Sequence, residues 1–255
     1  MNHFMNLSIA VFPSLIPLTS NGIFAWRLRF QEDTRVLPTN KRQSLEAKVQ
    51  ALADKLKITK NLEIVEIRGL GNIAQAMGNT IFPGKAGIAI DPEAFAYMSE
   101  YTQEFILAHE ISHIKHNDTL TLFLAQGFVG IITTLALAKL FPATAKISLK
   151  SFFSPASSLG MITGIAGLAL FSHWREKQAD KTAFSICSDK ARYAAIKFFK
   201  EMQEGNLYDR NCDDDSQLTS LFVKILISPE GDNRLDFFHP SLQSRIDCLN
   251  DLIPI

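Results

Sequence analysis

The sequence predicts an α+β fold, mainly helical, with a small β-sheet and an inserted apolar helical hairpin. Three observations carry that reading. Apolar residues recur at helical spacing, first at Leu45, Val49, Leu52 and Leu56. Only three short segments have strand character. Two long runs, 119–138 and 151–174, contain no Lys, Arg, Asp or Glu, and each approaches the ~20 residues that cross a bilayer core.

Composition narrows the function classes. The 255 residues are 47% hydrophobic and 20% charged, which excludes a disordered chain. Lys and Arg total 26 and Asp and Glu total 26, so no global charge attracts nucleic acid, and none is expected as a partner. The three cysteines, Cys187, Cys212 and Cys248, cannot all pair and lack C-x-x-C spacing, which fits structural thiols in a reducing compartment.

In chain order, residues 1–37 form an N-terminal apolar segment and a candidate membrane anchor. Pro13 and Pro17 would kink a helix there, and 19–22 reads as a turn. The segment lacks a basic n-region and a small-residue cleavage site, so it is not read as a cleaved signal peptide. Residues 38–255 form the second domain, interrupted by the hairpin at 119–174. Its first polar stretch opens with the amphipathic helix around Leu45. The β-branched run 62–68 reads as a strand broken by Gly69 and Gly71. Two further short strands fall within 71–79 and 85–90, with a turn at 82–84. Asp91 before Pro92 marks a helix start, and a longer helix covers about 100–116. The hairpin runs are joined by a short linker carrying Lys146 and Lys150, and the second holds Pro155, Ser157, Ser158 and three glycines. A buried hairpin of a soluble domain is the alternative reading. From Arg175 onward the chain reads as mostly helical, with loops at 213–215 and 228–233.

The chemistry concentrates in AHEISHIKH. His109 and His113 stand four apart, so on a helix both imidazoles point to one side and can share a metal. Glu110, beside the first of them, can reach a water at that metal and act as general base. Chance produces H-E-x-x-H about once in a hundred chains of this length. Zinc in such a site takes three protein ligands and leaves one position open. Glu176 and Asp180, four apart in REKQADKTA, are the candidates: one as ligand, the other orienting a ligand histidine. Alone, that segment could equally be a solvated charged helix. His116, three residues past His113, is read as a helix-end residue facing the terminal carbonyls.

Taken together these segments resemble the HtpX-type membrane zinc metallopeptidases, gluzincins related to the CAAX prenyl proteases and the Oma-type proteases. The resemblance spans about residues 45–252. His109-Glu110-x-x-His113 matches the first motif of the family. Glu176 to Asp180 matches its E-x-x-x-D motif, and Asn117-Asp118-Thr119 with the apolar run after it matches the HtpX type. Residues 73–78 resemble the N-A-F-A-T-G edge strand, with Ile73 in place of Asn and Gln75 in place of Phe. His239-Pro240-Ser241 with Arg245-Ile246 resembles a C-terminal H-P-S…R-I element. The family usually carries two N-terminal spans, where only about 25 apolar residues precede Arg27 and leave room for one.

The resemblance implies a zincin-like metallopeptidase domain. It implies one Zn²⁺ per chain on His109, His113 and Glu176, with Glu110 moving the proton and Asp180 behind a ligand histidine. His239 would hydrogen-bond the oxyanion or, alternatively, cap the final helix, and Arg245 would pair with a cleft carboxylate or another acid. The implied activity is endopeptidase cleavage of protein or peptide substrates in membrane-associated quality control. The implied location is multi-pass in a bacterial inner membrane, in contact with the lipid bilayer. The excess of Lys and Arg beside the motifs over that in the hairpin linker places the catalytic domain in the cytoplasm. A soluble or periplasmic protease-chaperone and a catalytically silent membrane scaffold are the alternatives.

Overall fold

The computed structural model describes residues 37–68, 70, 72–78, 80, 86–122, 124–125, 128, 132, 155–212, 217–234, 236 and 239–253. The expected N-terminal anchor, the breaks at Gly69 and Gly71, the turn at 82–84, most of the first uncharged run, the hairpin linker and the loop at 213–215 lie outside these. The elements are α1 (Thr39–Lys55), β1 (Leu62–Glu66), β2 (Ala74–Met77), β3 (Ala86–Ile90), α2 (Pro92–Ala96), α3 (Glu100–His116), α4 (Pro155–Ile186), α5 (Asp189–Asn211), α6 (Gln217–Leu226) and α7 (Leu242–Asn250). Two compact units emerge. One comprises 1–32 and 119–172, the other 33–118 and 173–255. Helix α4 contributes 155–172 to the first and 173–186 to the second.

The second unit is built around β3. The sheet order is β1-β3-β2, with β1 parallel and β2 antiparallel to the central strand. All five β3 residues are buried, which explains its unbroken run of small apolar side chains. At Gly87 a Cβ would lie only 2.2 Å from the Glu63 carbonyl oxygen of β1, so only glycine lets the two strands approach. Strand β1 ends at Glu66, two residues short of the run read from sequence, although Ile67 N still donates to Ile90 O at 2.8 Å. The buried Glu66 carboxylate accepts from Leu37 N (2.7 Å) and Arg42 Nη1 (3.5 Å), tying the start of α1 to the sheet.

Helix α1 buries Leu45, Val49 and Leu52 of the stripe expected from sequence, together with Ala53, while Leu56 lies just past its end and is partly buried. Helix α3 packs against β2, β3, α1 and α5 and buries Phe105, Ile106, Leu107, Ala108, Ile111 and Ile114. Its ends are fixed locally. Ser99 Oγ accepts from Thr102 N at 3.1 Å, and Asn117 closes the C-terminus at φ 54, in the left-handed region. Asp91 caps α2 through Glu93 N and Ala94 N, with Pro92 at the first helical position. Phe199 of α5 and Ile246 and Leu249 of α7 complete the core.

Helix α4 differs from the sequence reading. It begins at Pro155 and runs unbroken for 32 residues, through Gly160, Gly164 and Gly167 and on through the 176–180 motif. Among the described residues, no helix is long and apolar enough to cross a membrane.

Candidate metal centre

Helices α3 and α4 bring three side chains together. His109 and His113 face the same way from successive turns of α3, and Glu176 reaches them from α4. One donor atom from each lies within 4.8 Å of the others. The two Nε2 atoms are 3.0 Å apart. Glu176 Oε2 is 3.3 Å from His109 Nε2, and Glu176 Oε1 is 3.3 Å from His113 Nε2. Ligand atoms of a tetrahedral zinc, each 2.0–2.1 Å from the ion, stand about 3.3 Å apart. The spacing therefore suits a small tetrahedral cation.

The electrostatics point the same way. His109 Nδ1 lies 2.9 Å from Asp180 Oδ1, and His113 Nδ1 lies 2.6 Å from Asp118 Oδ2. If both Nδ1 atoms carry their proton toward these carboxylates, two bare Nε2 lone pairs and the Glu176 carboxylate confront one another at about 3 Å. Only a proton or a metal cation reconciles them. Glu176 Oε2 is buried without a hydrogen-bond donor among the described residues. Burial opposes charge on His109, but Asp180 and Glu176 outweigh it and push its pKa up to about 10. Burial and the neighbouring His109 push His113 down. Despite burial, the histidines hold the Glu176 carboxyl well below the usual range, and Arg245 does the same for Asp180. The carboxylates that favour a proton here also favour a divalent cation.

The surrounding groups are ordered. Arg245 of α7 forms a bidentate pair with the fully buried Asp180, Nε to Oδ2 at 2.7 Å and Nη2 to Oδ1 at 2.6 Å, and stacks over Phe199. This selects between the alternatives open at the sequence level: Arg245 meets the motif carboxylate. Glu110 stands apart from the three converging groups, and its Oε2 accepts the Ala76 amide of β2 at 2.6 Å. Strand β2 is an edge of the sheet, with Ala76 opposite Ile88 of β3. His239 sits at the rim, about half exposed, with Nε2 3.9 Å from Glu176 Oε1 and Nδ1 2.7 Å from Asp236 Oδ1. Helix α7 takes its cap from Ser241, whose Oγ accepts from Ser244 N at 3.1 Å, so His239 is not that cap. His116 ends α3 with Nε2 3.3 Å from Thr182 Oγ1, outside the cluster.

Three neighbours went unassigned in the sequence. Asp236 lies three residues before His239, a spacing that could have flagged it. Asp118 figured only within the Asn117-Asp118-Thr119 resemblance. Arg175 figured only as a flanking charge, yet it is largely buried and paired with Asp118.

The chain is similar to known proteins. Residues 39–253 match Peptidase family M48. Protease HtpX of Buchnera aphidicola subsp. Schizaphis graminum is 25% identical over 182 residues, covering 64% of this chain and 59% of the relative. Protease HtpX of Haemophilus influenzae (strain PittEE) is 26% identical over 177 residues, covering 65% and 59%. The chain thus spans less than two thirds of the length of these relatives. The crystal structure of S. mikatae Ste24p has the same fold, with TM-score 0.50 at 18% identity over 96% of this chain and 58% of that one. The HtpX-type resemblance read from the motifs is borne out.

Proposed function

The chain belongs to peptidase family M48, and from that premise we propose that it is a zinc-dependent endopeptidase acting in membrane-associated protein quality control. The observation that carries the chemistry is the convergence of His109 Nε2, His113 Nε2 and the Glu176 carboxylate at 3.0–3.3 Å. Two imidazoles and one carboxylate form a donor set suited to catalytic zinc. When bound there, zinc polarises the scissile carbonyl and lowers the pKa of water to about 7.

The protein's own groups do the rest. Glu110 takes the proton of the attacking water and delivers it to the leaving amine. The Ala76 amide fixes one of its oxygens, so the other is aimed rather than free to rotate. His239, held through Nδ1 by Asp236, turns Nε2 toward the centre, where it can donate to the developing oxyanion. Asp180, itself clamped by Arg245, holds the His109 ring in place. A protein or peptide substrate lies extended along the open edge of β2, adding a strand to the sheet.

We place the chain in a bacterial inner membrane, multi-pass, with the catalytic unit on the cytoplasmic side. The uncharged runs 119–138 and 151–174 support this. So do Leu124, Phe128 and Ile132, four apart on helical residues and 59%, 66% and 49% exposed, an apolar stripe that lipid would cover.

Zinc analysis of purified variants tests the centre. Wild type is expected to hold about one zinc per chain, with Glu176→Ala sharply depleted. Asp180→Ala, which removes only a supporting group, is expected to weaken binding about 10–100-fold. Undiminished zinc in Glu176→Ala would place the third ligand elsewhere.

A further inference from the structure

His113 has its own support, built from groups outside the two motifs. Its Nδ1 meets Asp118 Oδ2 at 2.6 Å, and the other oxygen of Asp118 pairs with Arg175 Nη2. The chain reaches this position through a specific turn. Asn117 adopts φ 54 and donates its amide to His113 O and Ile114 O, ending α3 and folding the next residue back beneath the His113 ring. Asn117 Oδ1 accepts from Thr80 N at 2.7 Å and from Thr80 Oγ1 at 2.9 Å, which anchors the turn to the chain beyond β2. Arg175 also donates to His116 O at 3.2 Å. It stands on α4 immediately before Glu176, so the same side chain joins the end of α3 to the start of the ligand-bearing turn of α4.

Resting on the zinc reading above, we propose that Asp118 and Arg175 form a positioning brace for the metal centre. Asp118 fixes the orientation and tautomer of His113. Arg175 fixes Asp118 and, through it, the spacing between the α3 histidines and Glu176. The arrangement mirrors the support of His109, where Asp180 is clamped by Arg245. Each ligand histidine therefore has an aspartate at Nδ1, and each aspartate an arginine. The side chains of His113, Asp118 and Arg175 are 15%, 13% and 13% exposed, so water competes weakly for these contacts. Neither residue touches substrate, and their effect is on metal affinity and ligand geometry.

The test is zinc affinity of the full chain by chelator competition, with circular dichroism confirming the fold, and the visible absorption of the cobalt-substituted protein. Asp118→Ala is expected to weaken zinc binding about 10–100-fold and to shift the cobalt bands, because His113 is released. Arg175→Ala is expected to weaken it less, and the double variant is expected to fall well short of the sum of the two losses, since Arg175 acts mainly through Asp118. Asp118→Asn keeps an acceptor for Nδ1–H and is expected to restore part of the affinity. A folded Asp118→Ala with wild-type zinc affinity and unchanged cobalt bands would overturn the brace, as would a full additive loss in the double variant. Should Asp118→Ala not fold, Asp118→Asn carries the test: a loss of at least about 3-fold supports the brace and an unchanged affinity overturns it. A wild-type chain without measurable zinc affinity would instead overturn the zinc reading on which the brace rests.

Discussion

Burial sets the chemistry of single residues in opposite directions across the second unit. At His109 a buried ring gains a charge because Asp180 and Glu176 face it. At Cys187 burial of the thiol is only partly offset by the Lys55 and Arg192 charges. Burial, reinforced by the Glu104 charge, pushes its pKa up to about 12. A thiol raised in the folded state costs no stability below its unfolded pKa of about 8.5, and its contribution is lost as pH climbs from there toward 12. Cys187 is therefore expected to resist iodoacetamide at pH 8 while the partly buried Cys212 reacts, and to react once the chain is denatured. Mass spectrometry of timed samples checks this, and equal rates for the two thiols in the folded protein would contradict it. At this scale the sequence revealed what helical spacing enforces. His109 and His113 had to share a face, and Glu176 and Asp180 likewise. Asp118 and Asp236 were not legible because their roles depend on where a turn and a loop bring the backbone. Arg245 was half legible: its charge called for an acid, but its partner is 65 positions away.

Among elements, β3 and α3 carry the site. The fully buried β3 holds β2 at the sheet edge, and β2 in turn offers the Ala76 amide to Glu110 of α3. This chain of support depends on the close approach at Gly87. Gly87→Ala would drive a methyl against the Glu63 carbonyl at 2.2 Å. The expected cost is about 2–3 kcal/mol or more, a fall in Tm of about 5–10 °C. Gly205 in α5 is the control, because a Cβ there meets nothing within 4 Å. Gly205→Ala is expected to stabilise by up to about 1 kcal/mol through helix propensity. Thermal unfolding of both variants checks the contrast, and a Gly87→Ala protein as stable as wild type would contradict it. Strand β1 and helices α1 and α3 were legible because burial imposes periods of two or 3.6 on their side chains, whereas β2, β3 and α2 were legible from the glycine and proline signals around them. The continuity of α4 was not. Glycines weigh against a helix locally, yet α4 runs on through Gly160, Gly164 and Gly167.

For the whole molecule, the proposed topology follows from the charge flanking the uncharged runs. A hairpin that crosses twice returns the chain to one side, so His109 and Glu176 share a compartment in the proposed arrangement. Lys115, Arg175, Lys177 and Lys181 flank the motifs, against Lys139, Lys146 and Lys150 between the runs. Reporters inserted within 142–150 are therefore expected to be non-cytoplasmic, and a reporter fused after Ile255 cytoplasmic. Same-side reporters would contradict a crossing hairpin. The proposed activity rests on a separation of roles: His109, His113 and Glu176 converge with a spacing that suits a cation, while Glu110 stands apart from them on an edge-strand amide. Glu110→Gln preserves size and hydrogen bonding but removes the basic carboxylate. The most direct measurement is casein hydrolysis by the purified full chain and its Glu110→Gln variant, with zinc content and Tm determined on the same samples. The account predicts equal zinc, similar Tm and a rate at least ~100-fold lower in the variant. A Glu110→Gln protein that cleaves at the wild-type rate would contradict it.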